Sequence, residues 1–483
     1  MPSNPVAPAT AWGSRWTFAL ALAAVVLGAG NLWLVPSAVV AHGGGAFLMV
    51  YALALMFVGV PLVMTELAMA RRYRHSPDRS LQAAAAASGL RSRSLPWAGR
   101  GMVLAAVLLF GLYSVLGGVS LAWLFRAALG ELRGTSEASA AALFSSFASD
   151  AQQVALWQAV FIGLVMAVAV RNLGRGVQRS LRTVVPLLAG LLVIMTAVAL
   201  SSGKAQEAAW SLFWPRWHDL GWYGAGRAVQ LALYSLAIGV GVVMTLGSYM
   251  PGNASMPLSA IGVAVVDLLV TLVLGLAVTA FVLVEQVPLT SGFELVFVAL
   301  PQVFEAMAGG QLIGSLFYLI MVLLVWTSAL FTLEVVVTTV TERLGGYRPV
   351  AALVAMLPAG AAAVAALFGF TGQGAVDVWA LMELSVMLVL VPISVLALAR
   401  MAGWQLPPRQ LLAFLGVTGQ GYRLWRWLMA WLVPLGAVIA VGLTVLDYRE
   451  DFCRLAGPEL CGHGGLEQSV VPLQKEPYGV TLQ

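Results

Sequence analysis

Residues 26–36 read Val-Leu-Gly-Ala-Gly-Asn-Leu-Trp-Leu-Val-Pro, and they lie inside a stretch, 16–41, that contains no Asp, Glu, Lys or Arg. Such a stretch is long enough to cross a hydrocarbon core of about 30 Å, because a helix rises about 1.5 Å per residue. Glycine costs about 1 kcal/mol in a helix relative to alanine, so Gly28 and Gly30 weaken the span near its middle. The stretch therefore predicts a membrane-spanning helix that is interrupted at its centre.

A second glycine pair, Gly239 and Gly241, lies within another apolar stretch, 225–249. Small residues also permit close packing between membrane helices, and a single pair would favour that interpretation. The two stretches, however, are the first and sixth of the predicted spans, which are equivalent positions if spans one to five and six to ten are two repeats. Interrupted helices at matching positions of two halves indicate a transporter binding site.

The composition is that of a polytopic membrane protein. Hydrophobic residues make up 60% of the chain and charged residues 10%, which is far from soluble domains and leaves no room for a large one. The predicted spans are 16–40, 45–70, 101–128, 153–170, 183–201, 225–249, 258–284, 311–341, 349–369, 376–399 and 425–446. The chain then divides into a cytoplasmic segment 1–15, a first repeat 16–201, an external loop 202–224, a second repeat 225–400, a cytoplasmic loop 401–424, an eleventh span 425–446 and an external tail 447–483.

Basic residues predict the orientation. Arginines crowd the loops after spans two, four and ten, all on the side of the N-terminus, so the N-terminus is expected in the cytoplasm. We expect a multi-pass protein of the plasma membrane, specifically of the bacterial inner membrane. The net charge of +5 reflects these loops and is no sign of nucleic-acid binding. The tail holds Cys453 and Cys461, which either form one disulfide in an oxidising compartment or remain free thiols.

Asp267 is a functional candidate from its position alone. It is the only charged residue between Asn253 and Val284, about nine residues into span seven and so roughly 14 Å deep. A carboxylate near the midplane is costly unless it is paired, coordinated or protonated.

Several motifs are similar to those of one family, in the same order along spans one to ten. They are Ser14-Arg15-Trp16, 28–33, Pro36, 43–47, 59–62 with Glu66, 235–241 with Ser248-Tyr249, 295–304, Thr327-Ser328 and 333–336. The first of these runs resembles the opening signature of the neurotransmitter:sodium symporter family. The resemblance implies a bacterial sodium-coupled amino-acid transporter with an all-α, leucine-transporter-like fold: two inverted five-helix repeats plus an eleventh transmembrane helix.

The resemblance also implies one or two sodium ions. The first ion is expected at the Val26 carbonyl, Asn31, Ser235, Asp267 and the substrate carboxylate. The second is expected at the carbonyls of Ala24, Leu27 and Leu324 and the hydroxyls of Thr327 and Ser328. Carbonyls freed by a broken helix can replace part of an ion's hydration shell, and freed N–H groups suit a carboxylate. Hydrogen bonding to the preceding turn is the alternative interpretation of Thr327 and Ser328.

An anion site is the next feature that the resemblance suggests. Tyr51, Gln230, Ser235, Asp267 and Thr271 resemble the neighbourhood of the family's chloride site. Many members need chloride, while others use a built-in carboxylate. We expect Asp267 to supply that charge, so that chloride is not required, although dependence on chloride stays open from the sequence.

The expected substrate site follows the same resemblance. Its residues are Val26, Gly28, Gly30, Leu109, Tyr113, Tyr234, Ser235, Ala237, Val240, Ser328 and Thr332. Monoamine carriers of the family have aspartate at the position of Gly28, and glycine leaves room for the carboxylate of a neutral α-amino acid. Val240 replaces an aromatic residue of many members, which favours a hydrophobic or aromatic substrate side chain. Tyr113 is expected to close over the carboxylate, and Glu66 to support the unwound backbone of span six.

The sequence departs from the family at both gates. The external gate arginine is replaced by Leu34, and the N-terminal arginine of the internal gate by Ala9. The position of the external gate's acidic partner in span ten does not align uniquely, and it could correspond to Asp377, Ala380 or Glu383.

The sequence therefore predicts a sodium-coupled symporter that alternates access around a midplane site. Its expected partners are an amino-acid substrate and the lipid bilayer, not nucleic acid. One alternative is a membrane sensor that keeps the site and has lost efficient transport. A membrane-embedded enzyme is a weaker alternative, because no metal cluster, nucleotide loop or acid–base–nucleophile set is evident, so we expect no enzymatic activity.

Overall fold

The computed structural model of the chain describes residues 12–28, 30–87, 94–134, 137–174, 176–285, 292–373, 377–408, 412 and 415–447. These residues are nearly all helical, and no strand occurs among them. Nine helices within these ranges are long and apolar enough to cross a membrane unaided. One bent pair of shorter helices passes the same test together and gives a tenth span. A helix of 19 residues followed by one of 7 residues corresponds to predicted span six. The predicted all-α membrane fold is confirmed.

Within the described ranges, the first half of the chain contains eight helices. They are α1 (Arg15–Val26), α2 (Gly30–Ala41), α3 (Gly45–Tyr73), α4 (Pro77–Ala87), α5 (Ser94–Leu129), α6 (Glu137–Ser149), α7 (Ala151–Ala169) and α8 (Val177–Ser201). Helices α1 and α2 form span one and meet at a bend of 58°. Helices α3, α5, α7 and α8 are spans two to five, while α4 and α6 lie in connections.

In the second half, the first membrane span is again broken. The helices of this half are α9 (Ala205–Phe213), α10 (Trp217–Ser235), α11 (Val242–Ser248), α12 (Met256–Val284), α13 (292–306), α14 (Gly310–Arg343), α15 (Arg348–Phe370), α16 (Val378–Gln405) and α17 (Gly419–Asp447). Span six consists of α10 and α11, and α12 and α14 to α17 are spans seven to eleven.

Some helix ends differ from the predicted spans. Span three begins at Ser94 rather than 101, because Pro96 lies in the first turn, where its missing N–H costs nothing. The helix of span six is preceded by a short helical segment from Trp217, and Gly221, with φ 52° and ψ 178°, separates the two. The continuous helix therefore begins just after Gly221, close to the predicted 225. Span ten continues through a π-helical turn to Gln405.

The two broken spans are enclosed by unbroken ones. Helix α1 packs against α8, α12 and α14, and α2 packs against α12. Helices α10 and α11 both pack against α3. Neighbouring side chains can therefore satisfy the backbone groups that the breaks expose, which a membrane interior demands.

Candidate functional site

The break in span one opens onto free space. Helix α1 ends at Val26, and Leu27 has φ −77° and ψ 62°, outside the helical region. A Cβ atom built on Gly28 or on Gly30 would meet no atom within 4 Å. These two glycines are therefore not explained by close helix packing, and their backbone is accessible to a small ligand.

The break in span six has a different cause. Between α10 and α11 the backbone turns left-handed three times, with φ of 50° at Ala237, 77° at Gly239 and 83° at Gly241. Glycine adopts this region without penalty, whereas a residue with a Cβ such as Ala237 is strained by roughly 1–2 kcal/mol. The glycine pair is thus required by the backbone conformation of the break.

Glu66 of α3 supports this second break. Its side chain is fully buried, and its Oε1 accepts a hydrogen bond from the Gly239 N–H at 2.8 Å. The break removes the partners that a continuous helix would give its N–H groups, and the carboxylate replaces one of them.

Asp267 of α12 connects spans one, two and seven at the first break. Its Oδ2 accepts a hydrogen bond from the Tyr51 hydroxyl at 2.6 Å, and its Oδ1 accepts one from Asn31 Nδ2 at 3.1 Å. The three side chains are at most 2% exposed. Asn31 Nδ2 also donates to the Val26 carbonyl at 3.0 Å. Both amide hydrogens of Asn31 are therefore used, and its Oδ1 remains an acceptor.

Two further hydroxyls lie at this cluster. Ser235 is close to both Tyr51 and Asp267, and Thr271 is close to Tyr51. The Ser235 hydroxyl donates to the Ala232 carbonyl at 3.2 Å, at the end of α10. The Thr271 hydroxyl is buried without a hydrogen-bond partner. Oxygen atoms from four spans thus converge near one carboxylate, which is the type of ligand set that a hard cation prefers.

A second group of oxygens lies on α14. The hydroxyls of Thr327 and Ser328 both donate to the Leu324 carbonyl, at 2.8 and 3.1 Å. The bonding to the preceding turn that was the alternative interpretation therefore occurs. It uses only the hydroxyl hydrogens, so the oxygen lone pairs remain available to a cation. Ala24 and Leu27, which would supply the other carbonyls, belong to α1 and its C-terminal cap, and α1 packs on α14.

Eight of the eleven residues expected to line the substrate site are partly exposed in the middle of their spans. They are Gly28, Gly30, Leu109, Tyr113, Tyr234, Ser235, Ala237 and Ser328. Val26, Val240 and Thr332 are buried, and the Thr332 hydroxyl is bonded to the carbonyls of Ser328 and Ala329. Partial exposure within a packed bundle indicates an internal space, as the open surroundings of the two span-one glycines also do.

Two of the expected site residues turn toward spans ten and eleven. Gln230 donates from Nε2 to the Thr444 hydroxyl at 2.7 Å and accepts from Arg227 at 2.5 Å. The Tyr234 hydroxyl donates to the Met387 carbonyl at 3.2 Å. Among the described residues, none of the hydrogen bonds of the Gln230 side chain goes to the Asp267 cluster, so its part in the expected anion site stays a prediction. Its polar partners lie on α10 itself and on the eleventh span, outside the two repeats.

The middle of α10 and the end of α17 are joined by an ion pair. Arg227 Nη1 lies 2.5 Å from Asp447 Oδ2, and the Tyr223 hydroxyl donates to the same carboxylate. The ring of His42, just after α2, lies 5.5 Å from that of Tyr223. Burial lowers the pKa of His42 and the nearby Arg227 lowers it further, while Asp447 acts in the opposite direction.

The chain before α1 covers the side of the site at which α11 ends. Trp12 is 3% exposed, its Nε1 donates to the Leu246 carbonyl at 3.0 Å, and its backbone N–H donates to the Tyr249 carbonyl at 3.1 Å. Ala9 lies outside the described residues. Glu342 accepts hydrogen bonds from Ser76 N and Oγ, and its carboxylate lies 3.7 Å from His75 Nδ1 and from Arg79 Nε.

The positions that were compared with the family's external gate make different contacts. Leu34 is partly buried at the position of the expected arginine. Asp377 caps α16 by accepting from the Ala380 N–H at 3.0 Å. Of the three positions considered in span ten, Glu383 is the acidic residue that lies near Tyr113.

A buried ion pair between spans eight and nine was missed from the sequence. Glu334 and Arg348 form a bidentate pair, with Nη1 to Oε1 at 2.8 Å and Nη2 to Oε2 at 2.5 Å. Arg348 Nε also donates to the Arg171 carbonyl at 2.7 Å, and Thr338 bonds to both Glu334 and Tyr249. The available signal was one acidic residue inside span eight and one basic residue at the start of span nine, since charges inside spans are usually paired.

Comparisons with known proteins agree with this architecture. Residues 9–126 and 145–453 match the Sodium:neurotransmitter symporter family. The chain is similar to the uncharacterized sodium-dependent transporter YhdH of Bacillus subtilis, with 30% identity over 329 residues, 68% of this chain and 72% of the relative. It is also similar to an uncharacterized sodium-dependent transporter of Methanocaldococcus jannaschii, with 24% identity over 359 residues, 69% of this chain and 70% of the relative. Among solved structures, MhsT in complex with L-phenylalanine aligns with a TM-score of 0.80 and 26% identity, over 90% of this chain and 99% of MhsT.

Proposed function

The chain belongs to the sodium:neurotransmitter symporter family, and we propose that it carries a neutral α-amino acid across the membrane together with sodium. Its family and fold make it a multi-pass, sodium-dependent transporter of a small molecule rather than an enzyme. The amino acid, the number of ions and the residues that hold them are the content of the proposal.

One observation carries the proposal above all. Asn31 uses both amide hydrogens on the Val26 carbonyl and on Asp267, so that its own Oδ1 is left to accept beside a buried carboxylate. An oxygen-rich site with one negative charge suits a monovalent cation, and a substrate carboxylate at the freed backbone of span one would complete it. The first sodium ion would therefore bind Val26, Asn31, Ser235 and Asp267.

A second sodium ion would bind between α1 and α14. Its ligands would be the carbonyls of Ala24, Leu27 and Leu324 and the hydroxyls of Thr327 and Ser328. The convergence of both hydroxyls on Leu324 supports this assignment, because it holds three oxygens together on α14, a helix that packs against α1.

The substrate would lie between the two breaks and α5. The open space beside Gly28 and Gly30 supports room for an α-carboxylate, and Tyr113 would close over it. Leu109, Val240 and the aliphatic part of Thr332 suit a hydrophobic or aromatic side chain. The phenylalanine complex of MhsT, a similar protein, supports the same class.

Asp267 would also make chloride unnecessary. The buried carboxylate supplies a fixed negative charge beside the first cation, and its two hydrogen-bond donors stabilise that charge. Chloride would then add like charge at short range. A sensor that has lost transport is not favoured, because the similar curated proteins are described as transporters.

The proposed topology has the N-terminus in the cytoplasm and the tail outside, in a bacterial inner membrane. The arginine-rich loops and the odd number of spans support it. Cys453 and Cys461 lie outside the described residues, so their pairing stays a prediction. If a membrane-impermeant thiol reagent labels intact cells, before or after reduction, the tail is external. Labelling only after the membrane is opened would place the tail inside.

A thermal-shift screen of the purified protein tests the ligand class. Each amino acid is added in sodium chloride and, separately, in potassium chloride of equal strength. We expect hydrophobic or aromatic amino acids to raise the unfolding temperature in sodium only, because only sodium completes the site. Equal shifts in both salts would contradict the proposal.

A further inference from the structure

The start of α1 is fastened to α8 by three hydrogen bonds. Gln178 Oε1 accepts from the Gly13 N–H at 3.3 Å. Arg182 donates to the Thr17 hydroxyl twice, from Nε at 3.2 Å and from Nη2 at 2.8 Å. Gln178 and Arg182 are four residues apart and so lie on the same face of α8.

These bonds fix the direction of a short network. Because the Thr17 oxygen accepts two hydrogens from Arg182, its own hydroxyl hydrogen points to Ser14 Oγ, 3.0 Å away. Ser14 Oγ also accepts from the Thr17 N–H at 3.2 Å and thereby caps α1. Arg182 therefore orders the first turn of α1 as well as holding it.

The same segment closes the inner side of the site. Trp12 is bonded to Leu246 and Tyr249 at the end of α11, and Gly13 follows it directly. A Cβ atom on Gly13 would lie 3.2 Å from the Gln178 oxygen and 3.6 Å from Arg182 Nη2, so the chain passes close to both side chains. If α1 moved away from α8, Trp12 would be pulled from its position under α11.

We propose that Arg182 is a positioning residue of the inner gate, which holds α1 and thus Trp12 in place while the site is closed and releases Thr17 when it opens. The inference rests on the proposed alternating-access function. The chain has alanine at position 9, where its family has a gate arginine, and Glu342 is engaged by Ser76 and lies 3.7 Å from both His75 and Arg79. None of these contacts holds the start of α1, whereas Arg182 of α8 bonds to Thr17 of α1 directly.

The test measures how often the inner side opens in the purified full chain. Cys453 and Cys461 are replaced by serine, and Ser248→Cys on α11 is the reporter, because Ser248 is 3% exposed and adjoins Tyr249. The rate of maleimide labelling in sodium is measured. Arg182→Gln is expected to raise this rate about fivefold, a moderate change because the arginine is partly solvated. Arg182→Lys should lie between Arg182→Gln and the wild type.

Matched variants separate gating from general damage. Arg179→Gln removes an exposed charge from the same helix and should leave labelling unchanged. Thr17→Val removes only the acceptor of the Arg182 hydrogen bonds, and its labelling rate should match that of Arg182→Gln. The double variant should be labelled no faster than either single variant, because both substitutions remove the same Arg182–Thr17 interaction. If Arg182→Gln does not fold, the labelling rate of Thr17→Val decides whether this interaction holds the gate.

The outcomes distinguish this proposal from the proposed function. Equal labelling of folded Arg182→Gln and Arg179→Gln overturns the gate role, even if the wild type binds an amino acid in sodium. Faster labelling of Arg182→Gln supports the gate role. A wild type that binds no amino acid in sodium counts against the proposed function alone, since labelling needs no substrate.

Discussion

Replacing Asp267 by asparagine tests the first cation site with little change in shape. The carboxylate accepts from Tyr51 at 2.6 Å and from Asn31 at 3.1 Å. An amide offers one oxygen and one NH₂ group, so it can accept from Asn31 while its NH₂ donates to the Tyr51 oxygen. The hydrogen bonds can therefore largely be rebuilt, and the main loss is the negative charge.

The magnitude follows from that lost charge. A sodium ion about 4 Å from the carboxylate gains at most about 4 kcal/mol at an effective dielectric constant of about 20. At about 1.4 kcal/mol for each factor of ten, the first site should bind sodium about 100 to 1,000 times more weakly. Chloride beside Thr271, whose hydroxyl is buried and unpartnered, should restore part of this loss.

Sodium titrations of Asp267→Asn measure the effect, by thermal shift in chloride and in gluconate, with the amino acid present. We expect the large loss of sodium affinity in gluconate and a smaller loss of sodium affinity in chloride. The control Tyr51→Phe keeps the charge and removes one donor, so its affinity should fall about tenfold at most. If Asp267→Asn binds sodium as tightly as the wild type in gluconate, the carboxylate is not a built-in anion at a cation site.

Three further substitutions test the support of the break in span six, the second sodium site and the buried ion pair. Glu66→Leu leaves a buried backbone N–H of span six unpaired and should lower the free energy of unfolding by about 1–3 kcal/mol, seen as a lower melting temperature; an unchanged melting temperature would contradict this. Thr327→Val loses only a bond to Leu324 in its own helix, so we expect normal melting and about tenfold weaker sodium binding; normal sodium binding would exclude it as a ligand. Glu334→Gln leaves Arg348 without its anion and should destabilise the protein by about 3–5 kcal/mol; wild-type stability in denaturant would show that the pair is dispensable.

The fold and the two breaks could be predicted because they depend on local composition. Apolar length sets the spans, and Gly239 and Gly241 occupy positions where the backbone requires positive φ. The contacts of Glu66 with the break and of Asn31 with Asp267 were expected through the family resemblance, since the residues lie far apart in sequence.

The remaining features depend on contacts that no local pattern encodes. Gln230 turns toward α17 because Thr444 offers it an acceptor there, while Arg227 occupies its oxygen. Ala237 adopts a positive φ although alanine disfavours it, because the surrounding break imposes that turn. The bonds of Arg182 to Thr17 join two helices that are separated by three other spans.

Uptake into proteoliposomes tests the central claim most directly. The purified protein is reconstituted, and a radiolabelled amino acid that passed the thermal-shift screen is added under an inward sodium gradient. The account predicts accumulation above the external concentration, which collapses when the sodium gradient is dissipated and is absent with potassium outside. Uptake that is equal in sodium and potassium, or that never exceeds the external concentration, would contradict sodium-coupled transport.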